Sequence, residues 1–240
     1  MTPSETETVD AFFSRISGDY DAAILRAIAP YRDILQTLLD TLPFAADAPL
    51  QIVDLGCGTG NLSRLLAQTF PRASFTLVDL SPEMLEATAR KLQQDNPQAR
   101  LTLIHEDFTR LSLPEASQDL IVSSFALHHI PKPEQKKALY AAIARWLRPG
   151  GLFRCADGCL GVPHAIYELH TRHWTSAALA QGASQTEVDL WLAHEQNFDH
   201  FEPLVSHLDW LEAAGLRDVD CYWRKYLWAV FGAGRAASAP

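Results

Sequence analysis

The chain has 240 residues, of which 48% are hydrophobic, and a formal net charge of -9 at pH 7. A chain of this length can bury one substantial core and is only slightly above the size at which chains tend to split into several domains. We therefore expect a single domain. The acidic balance, without a cluster of Lys and Arg, argues against binding to nucleic acid phosphates. No apolar run reaches the roughly 18 residues of a membrane span. Four cysteines without a CxxC pair, and a polar start instead of a signal sequence, predict a reduced cytoplasmic protein.

The first part of the chain has the periodicity of helices. Apolar residues recur at helical spacing over residues 11–42, including Phe12, Phe13 and Ile16, with breaks at Gly18 and Pro30. Residues 1–48 are therefore predicted to form a helical preface that ends in a short linker.

Short apolar runs then alternate with amphipathic stretches over residues 49–157. The predicted strands are 51–55, 74–79, 101–105, 119–124 and 152–156, and the predicted helices between them are 61–69, 82–96 and 133–147. This alternation is typical of an α/β, Rossmann-like doubly wound fold, in which helices cover a mostly parallel sheet.

The pattern changes after the fifth strand. Residues 158–203 contain two helical stretches rich in His and Trp, which predict a helical lid inserted over the sheet. Residues 204–232 predict a helix, closed by Gly215, and two further strands that form an antiparallel hairpin and complete a seven-stranded sheet. The single domain would thus end at residue 232, and residues 233–240 are predicted to be a disordered tail.

A glycine-rich turn follows the first predicted strand. Gly56, Gly58 and Gly60 lie between this strand and a helix, where glycine allows backbone N–H groups and the positive helix end to approach a ligand. The spacing alone is a weak signal, and Asn61 stands where a nicotinamide-binding fingerprint has its third glycine.

Polar residues at the ends of the next strands make the signal more specific. Asp79 ends the second strand, about 25 residues after Asp54, where a carboxylate suits the vicinal diol of a ribose. Asp107 and Phe108 follow the third strand and suit an adenine, through its amino group and its ring face. Capping of the following helix is the alternative role for Asp79.

Three motifs in order resemble those of the class I S-adenosylmethionine (SAM)-dependent methyltransferases. They are Val53-Asp54-Leu55-Gly56-Cys57-Gly58-Thr59-Gly60, Asp79-Leu80-Ser81-Pro82-Glu83-Met84-Leu85 and Leu147-Arg148-Pro149-Gly150-Gly151. The resemblance implies that Asp54 orients the glycine loop, that Asp79 binds the ribose and that Asp107 binds the adenine amino group. The other cofactor contacts that it implies are Gly56, Cys57, Gly58, Leu80, Met84, Phe108 and Ser124.

The helical preface is similar to that of the carboxy-SAM synthases and their relatives. The similarity covers residues 20–31 and implies that Tyr31 reaches the cofactor, although packing between a helix and the sheet is the alternative role for this residue. The second half of the chain departs from the synthase pattern and offers no evident arginine for a second carboxylate. A carboxy-SAM product is therefore not expected.

His128 and His129 follow the fourth strand, at the mouth of the predicted cleft. One of them should face the cofactor while the other turns into the fold, and we predict that His128 faces it as a general base. A cofactor contact or the capping of a loop is the alternative.

Aromatic residues and histidines in the predicted lid suggest a substrate pocket. Tyr167, His170 and Trp174 are the candidate pocket residues, with core packing as the alternative. No metal is expected, because no Asp, Glu or Cys accompanies the lid histidines at zinc-like spacing.

The resemblance implies an enzyme that transfers a methyl group from SAM to an O, N or C nucleophile of a small-molecule acceptor and releases S-adenosylhomocysteine. The alternative is a non-catalytic SAM-binding sensor or interaction protein, and a nicotinamide oxidoreductase is less favoured because of Asn61. We expect no nucleic acid or membrane partner, and a monomer or homodimer.

Overall fold

A seven-stranded mixed sheet organises the chain. The computed structural model describes residues 20–237. The strands are β1 (Gln51–Leu55), β2 (Ser74–Asp79), β3 (Arg100–His105), β4 (Gln118–Ser124), β5 (Leu147–Gly158), β6 (Arg217–Lys225) and β7 (Trp228–Gly234). They lie in the order β3-β2-β1-β4-β5-β7-β6, and β7 runs antiparallel to the other six strands. The predicted Rossmann-like fold with a closing hairpin is confirmed.

Helices connect the strands. Within residues 20–237 they are α1 (Tyr20–Ala27), α2 (Tyr31–Asp40), α3 (Asn61–Thr69), α4 (Pro82–Asp95), α5 (Pro133–Trp146), α6 (His164–Ala180), α7 (Gln185–Phe198) and α8 (Leu204–Ala213), with a 3-10 turn at Leu127–His129. Local sequence explains where some of them begin. The side chain of Ser81 accepts a hydrogen bond from the Met84 N–H at the start of α4, and Ser184 and Glu187 form a capping box on α7.

Alternate residues of the central strands pack on opposite faces of the sheet. In β1, Ile52 belongs to a core shared with α2, α3 and α4, whereas Val53 and Leu55 belong to a core shared with α5 and α8. Because strand side chains alternate, buried strands supply apolar residues to both layers. Strand order reverses between β1 and β4, which opens a crevice at the carboxyl ends of these strands, where open α/β sheets bind ligands.

The last strand is longer than the sequence predicted. Ala233 and Gly234, assigned to a disordered tail, are buried in β7 and pair with Phe153 and Leu152 of β5. A Cβ atom on Gly232 would lie 2.3 Å from the Phe153 carbonyl oxygen. The small residues that suggested disorder therefore allow close strand pairing instead.

The inserted segment 158–203 contributes α6 and α7, which contact the preface. Trp174 Nε1–H of α6 donates a hydrogen bond to the Ala27 carbonyl at 2.7 Å, and Arg26 Nε donates to Glu187 Oε1 of α7 at 3.1 Å. The predicted helix around Phe12 and Ile16 lies outside the described residues. Among residues 20–237, no helix combines the length and the apolar character needed to cross a bilayer.

Candidate active site

The glycine loop between β1 and α3 is held against the end of β2. The N–H groups of Gly56 and Cys57 donate to the Val78 carbonyl at 2.8 and 3.0 Å, and the Gly58 N–H donates to Asp79 Oδ2 at 2.8 Å. Gly56 has a φ of +71°, and a Cβ atom on it would lie 2.4 Å from the Ala126 Cβ. Only glycine fits this position without rearrangement.

Asp54 lies beneath the loop. Its side chain is fully buried, and its Oδ2 accepts a hydrogen bond from Ser63 Oγ of α3 at 2.5 Å. Burial raises the pKa of this carboxyl to about 7, although the Ser63 hydrogen bond opposes the change. Asp54 thus contacts the helix that follows the loop.

A cleft opens above the glycine loop, with about 1000 Å³ of space including its mouth. Ten of the eleven predicted cofactor residues line this first cleft; Asp54, below it, is the exception. The ten are Tyr31, Gly56, Cys57, Gly58, Asp79, Leu80, Met84, Asp107, Phe108 and Ser124.

Turns hold the two cleft carboxylates in place. Asp79 Oδ1 accepts a hydrogen bond from the Ser81 N–H at 2.9 Å, and Asp107 Oδ1 accepts one from the Thr109 N–H at 2.8 Å. Such short-range bonds fix the side-chain orientation before any ligand arrives.

The preface is bonded directly to the glycine loop. Asp21 Oδ1 accepts hydrogen bonds from Thr59 Oγ1 at 2.5 Å and from Asn61 Nδ2 at 3.0 Å, and Asn61 Nδ2 also lies 3.3 Å from the Tyr31 hydroxyl. Burial raises the pKa of Tyr31 to about 12. Tyr20 also lines the first cleft; it begins the segment that is similar to the carboxy-SAM synthases, but no role was predicted for it.

His129, rather than His128, lines the first cleft. The ring of His128 turns toward β5, where its Nδ1 is hydrogen-bonded to Asp157 Oδ1, and its backbone N–H donates to Asp157 Oδ2 at 3.1 Å. The prediction that His128 faces the cofactor cleft is therefore wrong. The cause is Asp157, a buried carboxylate at the end of β5 that the sequence did not reveal as a partner.

A second cleft, with about 760 Å³ of space including its mouth, adjoins the first. The two share Tyr20, Phe125 and His129. Its remaining lining comes from α1, α6, α7 and the strand ends: Ala23, Ile24, Ala27, Ile28, His128, Trp174, Trp191, His194, Glu195, Asp199, Phe201, Leu227 and Trp228.

Phe125 stands between the two clefts. Its φ is +53°, a conformation that is costly for a bulky residue, and its N–H donates to the Ala156 carbonyl at 2.8 Å. Its ring stacks on Tyr31 with centroids 5.5 Å apart and meets Trp228 edge-on at 5.6 Å. The strained backbone thus presents an aromatic ring between the two spaces.

Ionisable side chains gather at one end of the second cleft. Burial lowers the pKa of His128, but the negative charges of Asp157 and Asp199 outweigh it and raise the pKa to about 9. Burial lowers the pKa of His194 to about 4, and burial together with the Asp199 charge raises that of Glu195 to about 7. Perturbed pKa values of this kind are common at functional sites.

The predicted substrate residues separate in the structure. Trp174 lines the second cleft, but Tyr167 and His170 line neither cleft. The His170 ring lies 5.9 Å from that of Tyr226 in the turn between β6 and β7, and the Tyr167 ring lies 6.1 Å from that of His164. The prediction that all three residues line one pocket is therefore wrong, because α6 directs them to different neighbours.

Comparison with known proteins agrees with the geometry. The methyltransferase domain family matches residues 52–151. The malonyl-[acyl-carrier protein] O-methyltransferase of Halalkalibacterium halodurans is 32% identical over 171 residues, which cover 69% of this chain and 59% of the relative. The carboxy-S-adenosyl-L-methionine synthase of Hydrogenovibrio crunogenus is 24% identical over 214 residues, which cover 89% of this chain and 84% of the relative.

The share of each relative's length that the chain covers differs between these proteins. The chain spans between 52% and 59% of the length of three malonyl-[acyl-carrier protein] O-methyltransferases that are 32 to 33% identical to it. The structure of an O-methyltransferase family protein from Burkholderia thailandensis shares the fold, with a TM-score of 0.67 at 15% identity over 95% of this chain and 63% of that one. Residues 52–151 therefore form a domain of the methyltransferase family, and the three ordered motifs and the fold resemble those of the class I SAM-dependent methyltransferases.

Proposed function

We propose that the chain transfers a methyl group from SAM, bound in the first cleft, to an O, N or C nucleophile of a small-molecule acceptor in the second cleft. The observation that carries this proposal is that the two clefts adjoin along Tyr20, Phe125 and His129, which line both of them. These residues border both clefts, so a donor in the first cleft and an acceptor in the second meet at this common boundary, and the direct contact that methyl transfer requires is made there.

The residues of the first cleft fit SAM. Gly58 has no atom within 4 Å of the position of a Cβ, so the backbone there is open to a ligand. The Asp79 carboxylate suits the ribose hydroxyls, and the buried side chains of Met84 and Phe108 suit the faces of an adenine. When bound, SAM supplies a methyl group that its positively charged sulfur already activates.

The second cleft suits a planar or largely apolar acceptor. Trp174, Trp191 and Trp228 supply broad aromatic surfaces, and α1 supplies small and aliphatic side chains. Such walls exclude water from the space beside the first cleft. We place His129, which lines both clefts, as the histidine in contact with the reacting groups.

The relatives suggest a second kind of acceptor. Several are named malonyl-[acyl-carrier protein] O-methyltransferases, so an acyl group attached to a carrier protein is a candidate beside a free metabolite. Assays of methyl transfer to a free malonyl thioester and to the same group on its carrier protein distinguish these two kinds of acceptor. Methylation of the carried form alone would replace the small-molecule acceptor with a protein-bound one.

Binding and turnover are measured separately. Calorimetric titration with SAM and S-adenosylhomocysteine should show one site per chain, and a lack of binding to both at millimolar concentration would exclude the proposal. Methyl-labelled SAM is then incubated with the protein and fractionated metabolite extracts, in which we expect a labelled product. Binding without transfer to any acceptor would instead support the non-catalytic sensor.

A pair of variants tests the assignment of the second cleft. Ala23 of α1 lines it, whereas its neighbour Ala22 is exposed and does not. Ala23→Trp should reduce methyl transfer at least tenfold without changing the dissociation constant of SAM, and Ala22→Trp should change neither. Equal turnover in the two variants would mean that the acceptor lies elsewhere.

A further inference from the structure

Three imidazole nitrogens surround one buried carboxylate oxygen at the polar end of the second cleft. Asp199 Oδ1 lies 3.3 Å from His129 Nδ1, 3.5 Å from His194 Nε2 and 3.6 Å from His128 Nε2. The Asp199 side chain is only 10% exposed, and its Oδ1 accepts no hydrogen bond within residues 20–237. These three distances are longer than the roughly 2.7 to 2.9 Å of a strong hydrogen bond between charged groups, and His129 Nδ1 also lies 3.4 Å from the Phe198 carbonyl oxygen.

The distances from Asp199 Oδ1 to the histidine nitrogens match those between atoms bound to one metal ion. With bonds of about 2.0 to 2.2 Å to nitrogen and oxygen, neighbouring ligand atoms of a tetrahedral zinc site lie about 3.3 to 3.5 Å apart. Ligand atoms of His128, His129 and Asp199 all lie within 4.8 Å of one another. We propose that His128, His129 and Asp199 bind a divalent first-row transition-metal ion, and that His194, which contacts Asp199, lies next to this three-ligand site.

Asp157 orients one of the ligands. Its Oδ1 is hydrogen-bonded to His128 Nδ1 and also accepts the Gly158 N–H at 2.8 Å. This arrangement fixes the His128 ring and directs its other nitrogen, Nε2, toward Asp199. A carboxylate behind a metal-binding histidine is a common feature of such sites, because it sets the tautomer and makes the ring a better donor.

Charge supports the same assignment. The Asp157 and Asp199 side chains are 1% and 10% exposed, and a nearby positive charge stabilises buried carboxylates in their ionised form. A divalent ion bound by neutral imidazoles balances both carboxylates. A proton on His128, together with the Lys136 ammonium that acts on Asp157, is the competing way to balance these charges, and the zinc titration distinguishes the two.

The donor set restricts the kind of ion. Two or three imidazole nitrogens with one carboxylate favour Zn²⁺, Fe²⁺, Co²⁺ or Ni²⁺, whereas Mg²⁺ and Ca²⁺ prefer oxygen ligands. All four side chains line the second cleft, so a bound ion is accessible there to an oxygen or nitrogen atom of a ligand. The proposed ligands line the cleft assigned to the acceptor, but the test of metal binding does not require methyl transfer.

The experiment uses the full chain after removal of metals with a chelator. Titration with Zn²⁺ alone should show one tight site per chain and a higher melting temperature, since the ion binds only the folded state. Co²⁺ should give the visible absorption bands of a nitrogen- and oxygen-ligated site. X-ray absorption of the zinc form should show light-atom ligands at about 2.0 to 2.2 Å without sulfur, and this measurement needs no variant.

Variants locate the ion. Asp199→Asn and His129→Gln should each weaken Zn²⁺ binding at least 100-fold, and Asp157→Asn should weaken it about 10- to 100-fold. His164→Ala is the matched control, because His164 and Glu168 form a similar but exposed pair at 3.4 Å and should not contribute to the tight site. The proposal is overturned if the wild-type chain does not bind Zn²⁺ more tightly than Mg²⁺. It is also overturned if folded Asp199→Asn binds Zn²⁺ with the affinity of the wild type. Neither outcome bears on SAM binding.

Discussion

The Asp79 carboxylate joins the glycine loop to the start of α4: its Oδ2 accepts the Gly58 N–H at 2.8 Å and its Oδ1 accepts the Ser81 N–H at 2.9 Å. The same group lines the first cleft. Asp79→Ala should weaken SAM binding by about 1 to 3 kcal/mol, because charge-assisted hydrogen bonds are lost. Calorimetric titration with SAM measures the change.

Two further variants make this result specific. Asp79→Asn keeps an oxygen acceptor without the charge and should bind SAM with intermediate affinity. Asp47→Ala removes an exposed carboxylate of the linker before β1 and should not change SAM affinity. A dissociation constant for Asp79→Ala equal to that of the wild type contradicts the ribose assignment.

The glycine loop permits a comparison between two equivalent substitutions. Gly56 and Gly58 both have positive φ angles, so alanine at either position costs about 1 to 2 kcal/mol of backbone strain. At Gly56 the new Cβ would also overlap Ala126 at 2.4 Å, whereas at Gly58 it meets no atom within 4 Å. In urea denaturation, Gly56→Ala should therefore lose more unfolding free energy than Gly58→Ala.

The same pair should separate stability from ligand binding. Gly58→Ala places a methyl group in open space beside the cleft, so it should weaken SAM binding more than its small effect on stability suggests. If the two variants are equally stable, the contact between Gly56 and Ala126 does not restrict the loop.

Local patterns were sufficient to predict most of the fold. The bounds of β1, β2 and α3 agree with the prediction residue for residue, because Gln51 and Ser74 begin short apolar runs and Asn61 begins an amphipathic stretch. The prediction of a disordered tail is wrong at Ala233, because small residues are typical both of disorder and of closely paired strands. Only the pairing with Phe153 distinguishes the two.

The parts of the site whose residues lie together in one sequence segment could be predicted. The glycine loop and Asp79 lie in short motifs that follow strands, so their common cleft could be inferred. The acid and histidine cluster could not, because Asp157, His129 and Asp199 lie on separate segments that only the tertiary fold joins. Tyr20 lies on α1, about 30 residues before β1, and no spacing rule connects it with the cleft.

Trp174 joins α6 to the preface and lines the second cleft. Trp174→Phe keeps an aromatic ring but removes the donor to the Ala27 carbonyl, which should cost about 1 to 3 kcal/mol of unfolding free energy. It should also raise the KM of the acceptor without changing SAM affinity. Trp210→Phe, in α8 and outside both clefts, is the control and should leave the KM of the acceptor unchanged. A larger effect on SAM than on the acceptor would contradict the placement of Trp174.

Asp54 should make the stability of the SAM-free protein depend on pH. Burial raises the pKa of its carboxyl to about 7 in the folded chain, against about 4 when unfolded, so the folded state holds this proton more tightly. Its contribution to stability is complete below about pH 4 and is lost as the pH rises through about 7.

The Asp54→Asn variant tests this dependence. Its side chain cannot ionise, so the variant does not lose stability through this group as the pH rises. The unfolding free energy of the wild type minus that of the variant should therefore fall by roughly 1 to 4 kcal/mol between about pH 4 and pH 8. Urea denaturation at several pH values measures this difference, with the exposed Asp47→Asn as the matched control. A difference that stays constant, or that rises with pH, would show that Asp54 is ionised in the folded protein throughout this range.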